Sequence, residues 1–173
     1  LYSHGGFLKT GVSNAKLWWP RYHGEPSLYD VEVTLYYEGK AVDTYKVRTG
    51  IRTVALSRTD TTDENGNGDF CFIVNGTRIF SMGSNWVPLD PFHSRDESRL
   101  HAAFDLLYDV GSNITRCWGG NVYESDEFYS LCDEHGIMVW QDFAMGCSVY
   151  PQDEHFQKVL RDEATYIVKR LRS

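Results

Sequence analysis

The chain has 173 residues, 42% hydrophobic and 14% aromatic, with a formal net charge of −7. That is enough apolar material for one ordinary domain or two small ones, each with a real core. The acidic balance, without any Lys/Arg cluster, argues against a nucleic-acid surface or a polybasic membrane patch, and no apolar run approaches the roughly 20 residues of a bilayer span.

The opening "LYSHGGFLKT" lacks the charged start and apolar stretch of a signal peptide. With no initiator Met, the chain reads as a processed or excised piece. "AKLWWP" follows and ends in Pro20, leading into a turn-rich loop. If extended, Trp18 and Trp19 point to opposite faces, one to a core and one to an interface. From Leu28 to Arg58 apolar and polar residues alternate around Glu38-Gly39-Lys40, the pattern of a β-hairpin in an antiparallel sheet. Three or four strands are too few for a complete sandwich of about seven.

"TDTTDENGNGDF" is polar and glycine-rich and reads as a linker or long loop. Asp63, Asn65, Asn67 and Asp69 alternate with Gly66 and Gly68 in the manner of a calcium loop, but the twelfth position is Val74 rather than Glu. A solvated, turn-rich segment is the better reading. No metal is expected here.

Beyond it the rhythm becomes strand, helix, strand, helix. "FCFIVNGTRIFSMGSNWVP" holds two short strands around Asn75-Gly76, a strong hairpin turn signal. A helix follows with Leu100, Ala103, Phe104, Leu107 and Tyr108 on one stripe, stopped by Gly111. "NITRCW" is a strand, and "SDEFYSLCDEHG" a helix opened by Ser125 and closed by Gly136. "IMVWQDF" is the next strand. The last helix carries Phe156, Val159, Leu160, Ile167, Val168 and Leu171 on its apolar side. Alternating βα units imply a parallel sheet, either a barrel or a doubly wound sheet.

Side-chain alternation places Ile114, Arg116 and Trp118 on one strand face, with Gly119-Gly120 opening the loop after them. In both parallel architectures that strand end carries the active site. Arg116 can hold carboxylates in a fixed ionised geometry, and Trp118 can stack on a sugar or wall a pocket. Asn85-Trp86 and Gln141-Asp142 sit at neighbouring strand ends, so three ends carry a polar rim. The bland alternative pairs Arg116 with a buried carboxylate and makes Trp118 a plug. Trp140 has no such claim. The four cysteines show no CxxC and no zinc-ligand spacing to His, and Cys117, Cys132 and Cys147 read as small buried hydrophobes. Nucleotide loops and a G-x-S-x-G elbow are absent.

"RCWGGNVYESDEFYSLCDEHGIMVWQDF", the "YP" at 150–151 and the closing "RLRS" resemble the β-mannosidase branch of glycoside hydrolase family 2. "LWWP" and "VNGTRIFSMGSNWVPLD" fit the same family. The resemblance implies a multi-domain β plus α/β chain. Residues 1–60 would be the C-terminal part of an immunoglobulin-like β-sandwich, 61–70 a linker, and 71–173 the first βα units of a truncated (β/α)8 TIM barrel. It implies hydrolysis of terminal β-mannosides with retention by two glutamates about 5–5.5 Å apart, without a cofactor. Trp118 would wall the sugar subsite and Arg116 would lie near the nucleophile. Asn85, Asp142 and Cys147 would line the same pocket. No catalytic residue is expected within the chain, because the family's acid/base follows a segment like "RLRS" and its nucleophile lies on a later strand. The expected partners are a β-mannoside glycan and the rest of a parent chain. A family 2 β-galactosidase or β-glucuronidase is disfavoured by "WGG"; a non-catalytic carbohydrate-binding module is the reading from another class.

Overall fold

The structure, a computed structural model, describes residues 11–172. The opening "LYSHGGFLKT" and Ser173 lie outside the described residues. β1 (Tyr29–Tyr37) and β2 (Lys40–Thr49) form a two-stranded antiparallel ribbon. Its turn is Glu38-Gly39, both at positive φ, the backbone twist that suits a two-residue hairpin. Lys40 therefore begins the second strand instead of sitting in the turn.

β3 (Val54–Arg58), β4 (Phe70–Val74) and β5 (Thr77–Ile79) make a second antiparallel sheet in that order. β3 pairs directly with β4, so the polar stretch read above as a linker closes a hairpin. Asp63 organises that loop: its carboxylate accepts from the backbone N–H groups of Asn65 and Asn67 and from the Asn67 side chain, at 2.8–2.9 Å. The loop thus satisfies its own carboxylate as an Asx turn does. Asn75-Gly76 turns β4 into β5 as expected, at φ 50° and 80°.

The third sheet is parallel: β6 (Gly83–Trp86), β7 (Ile114–Cys117) and β8 (Met138–Gln141). Sequence reading places Asn85 and Trp86 after a strand near Ile79. They belong instead to β6, a separate strand that "GSNW" does not announce because it lacks β-branched residues. Gly83 is required there, since a Cβ would collide with the Ile114 carbonyl.

Helices α1 (Glu97–Asp109) and α2 (Asp126–His135) connect these strands. Leu100, Phe104 and Leu107 from α1 and Phe128 and Cys132 from α2 pack with Trp86, Cys117 and Ile137 into one core. Each of the larger side chains contributes roughly 1.5–3 kcal/mol by leaving water. The ends of α2 are set as its sequence indicates. Ser125 Oγ accepts from Phe128 N, and Gly136 adopts the left-handed conformation. α3 (Glu154–Leu171) is capped by Asp153, yet among its described residues only Ile167 is buried. Of its predicted apolar stripe, Phe156, Leu160 and Leu171 are half-buried, and Val159 and Val168 are exposed.

Trp18 fastens the N-terminal segment to this unit. It is 3% exposed, and its indole N–H donates to the Asp133 carbonyl at 2.7 Å. Trp19 is half-buried, as the alternation implied. Arg21 continues the attachment, its backbone N–H donating to the Gly136 carbonyl and its guanidinium to the Tyr108 carbonyl.

Candidate active-site rim

The parallel register sets Asn85, Arg116 and Trp140 side by side on adjacent strands. All three line a cleft of 840 Å³ on the face of the sheet turned away from the helices, together with Ile114, Phe70 and Phe72. The opposite face carries Thr115 and Cys117, both fully buried. Period-two alternation therefore does what the sequence requires: it sends Arg116 to the open face and Cys117 to the core.

Asp142 lies just past the end of β8 and grips Arg116 through two atoms. Arg116 Nε donates to Oδ1 at 3.2 Å and Nη2 to Oδ2 at 2.5 Å. This forked pairing fixes the guanidinium in its own plane. The remaining nitrogen, Nη1, reaches Asn85 Oδ1 at 3.5 Å. Asp142 Oδ2 also accepts from Gly119 N at 3.2 Å, so the same carboxylate holds the glycine corner. Its backbone is anchored as well. Asp142 N donates to the Cys117 carbonyl, and Gln141 Nε2 donates to the Asp142 carbonyl at 2.9 Å. Tyr129 O–H in turn donates to Gln141 Oε1 at 2.7 Å, which ties α2 to the rim.

Trp118 follows β7 and lays its ring over Gly120, where any side chain would collide with it. Gly146 closes on the same corner, its N–H donating to the Gly119 carbonyl at 2.8 Å. Cys147 follows at φ 58° with its side chain exposed, not buried as its apolar neighbours suggest. The structure thus joins Asn85, Arg116 and Asp142 by hydrogen bonds. It places Trp118 and Cys147 around the adjoining glycine corner, without a contact to Arg116.

Trp140 was not singled out in the sequence, yet it stands next to Arg116. The parity that put Arg116 on the open face would have revealed it, because Trp140 on β8 and Asp142 just past its end are two apart. The charge environment around the rim is uneven. Burial, reinforced by the charges of Glu124 and Asp142, pushes the Cys117 thiol up to about 12. Burial also raises the Tyr129 phenol and the Glu124 carboxyl, the latter against the opposing pull of the Trp86 indole N–H. Both Cys117 and Tyr129 therefore stay protonated at neutral pH. Among the described residues, the lining of the cleft holds two arginines, Arg116 and the Asp69-paired Arg78, with amide and aromatic groups but no glutamate. Such a set can orient an anion or a hydroxyl-rich ligand.

Residues 3–52 match the family described as glycosyl hydrolases family 2. The β-mannosidase of Capra hircus is 43% identical over 157 residues, which is 90% of this chain and 18% of that protein. The β-D-mannosidase structure from Dictyoglomus thermophilum superposes with a TM-score of 0.83 at 42% identity, covering 92% of this chain and 20% of the other. Over about nine-tenths of its length the chain is similar to β-mannosidases. β-Mannosidase B of Aspergillus terreus is 39% identical over 162 residues, 93% of this chain and 19% of that protein. The chain thus spans about a fifth of the length of the relatives it matches, and its β-rich fold follows the mannosidase structure over 92% of the chain.

Proposed function

We propose that the chain is the part of a retaining exo-β-mannosidase that builds one side of its sugar site. The observation that carries this is the Arg116–Asp142–Asn85 rim, at the carboxyl ends of parallel strands in a chain 42% identical to a β-mannosidase structure. In this reading, residues 1–60 carry the end of an immunoglobulin-like sandwich, 61–70 form the β3–β4 hairpin loop at the junction, and 71–173 begin a (β/α)8 barrel. The parallel order β6-β7-β8 with α1 and α2 between them supports the barrel portion.

The chemistry follows from the rim. Retention requires a nucleophilic carboxylate and an acid/base about 5–5.5 Å apart; both are supplied from outside these residues. Arg116 keeps the nucleophile ionised and aimed, while Asp142 orients Arg116. Asn85 engages a sugar hydroxyl, and Trp118 with the Cys147 loop walls the subsite. A cation preset at the point where charge changes stabilises the transition state without reorganising during it.

Hydrolysis of an aryl β-mannoside is the test, run on the full-length parent and on the 173-residue chain. Turnover by the parent alone is expected, and Arg116→Ala in the parent should lower kcat by about 10²–10³. Turnover by the 173-residue chain, with contaminants excluded, would overturn the assignment of both glutamates to other residues. Inactivity of both would favour a carbohydrate-binding module or another sugar.

A further inference from the structure

We propose that Trp140 is a positioning residue for Arg116, and that Phe70 of β4 braces it from behind. This rests on the reading that Arg116 faces the substrate.

Asp142 fixes the guanidinium edge-on through Nε and Nη2. A forked pair of that kind defines rotation within the guanidinium plane but leaves the plane able to hinge about the carboxylate. Asn85, at 3.5 Å, is too long a contact to stop that hinge alone. Trp140 supplies the missing restraint. Its ring centroid lies 5.8 Å from the Arg116 guanidinium carbon, inside the roughly 6 Å reach of a cation–π attraction. It also sits directly opposite Arg116 in the parallel register.

Trp140 is itself held. Phe70 stacks on it at 5.9 Å with an interplanar angle of 26°, and Phe72 meets it edge-on at 6.0 Å. The antiparallel sheet thereby fixes a ring of the parallel sheet, which fixes the cation at the rim. Trp140 lines the same cleft as Arg116. What the indole offers there is a π face aimed at a charge.

The test compares Trp140→Phe, which keeps an aromatic face, with Trp140→Leu, which keeps apolar bulk without one. Both are made in the full-length parent and assayed on aryl β-mannoside, β-glucoside, β-galactoside and β-glucuronide. The wild-type protein's preferred sugar settles the mannosidase reading, and the variants are scored on that sugar whichever it is. Trp140→Phe is expected to keep kcat within about threefold, and Trp140→Leu to lose about tenfold or more in kcat with little change in KM. Equal losses in both variants, or none in Trp140→Leu, would overturn the proposal. So would wild-type inactivity on all four sugars, which would remove the mannosidase reading too. Should Trp140→Leu fail to fold, Phe70→Leu serves in its place, since Phe70 is an exposed residue stacked on the indole. An unchanged kcat in Phe70→Leu would then overturn the brace.

Discussion

Glu124 holds its carboxyl almost out of water, 7% exposed, with the Trp86 indole N–H donating to Oε1 at 3.1 Å. One neutral donor does not replace lost hydration, and burial raises its pKa. A carboxyl whose folded pKa lies above its unfolded value stabilises the fold fully only below the unfolded value. That contribution is lost as pH rises through the folded pKa. Glu124→Gln keeps an acceptor for Trp86 and carries no charge. It should therefore raise the melting temperature at pH 7 and leave it nearly unchanged near pH 4; equal shifts at both values would contradict the assignment. The cysteines give a second check. With its pKa at about 12, Cys117 is thiolate in only about one molecule in ten thousand at pH 8, and Cys132 is equally buried. Cys147 is exposed, so maleimide labelling of the folded protein should modify Cys147 and spare those two until denaturant is added. The residues of the rim were legible to different degrees. Arg116 and Asp142 followed from strand ends and parity, whereas Asn85 was assigned to the end of the wrong strand because β6 was not legible. Trp140 obeyed the same parity but was hidden, because nothing in a sequence says that a strand from another sheet will stack Phe70 against it.

Elements declared themselves where backbone chemistry left a mark. Glu38-Gly39 and Asn75-Gly76 turn with positive φ as such pairs do, and Ser125 and Gly136 bound α2 where a cap and a left-handed stop belong. Ser125→Ala should cost about 1 kcal/mol, read from denaturant unfolding. β6 was silent for the opposite reason. Its glycine is present for proximity to another strand, and proximity has no local signature. At Gly83 the first side-chain carbon would meet the Ile114 carbonyl, a backbone atom that cannot rotate aside. Gly83→Ala should cost about 3 kcal/mol, displacing β6 from β7 and Asn85 from Arg116 with it. A loss below that of Ser125→Ala would show that the β6–β7 pairing tolerates separation. Asn113 illustrates a motif with two readings. It begins a glycosylation sequon, yet it is fully buried, accepting from Met82 N and donating to the Phe80 carbonyl. Its amide is spent on holding the approach to β6.

The molecule as a whole is stabilised unevenly. Around β6, β7 and β8, two helices bury one face of the sheet in a continuous core. Among the described residues, nothing comparable covers the β1–β2 ribbon. One face pairs charges and hydroxyls, Glu32 with Lys46 and Thr34 with Thr44. The other sets Val31 opposite Val47 and Val33 opposite Tyr45, with Val33 49% and Tyr45 66% exposed. A two-stranded ribbon with an uncovered apolar face is marginal in water. Its link to α2 is the surface ion pair Arg48–Glu134, and an exposed pair of this kind contributes about 0–1 kcal/mol. Amide hydrogen exchange on the isolated 173-residue chain should therefore divide it. Residues 100–108, 114–117 and 128–139 should open only with the global unfolding free energy. Residues 29–49 should exchange through local opening at a far smaller one. Joining the chain to a covering sheet should raise protection in the ribbon and leave the βα core unchanged. Equal protection of ribbon and core in the isolated chain would mean that the apolar face at Val33 and Tyr45 is covered in solution, and that the ribbon's stability comes from association rather than from its own ladder.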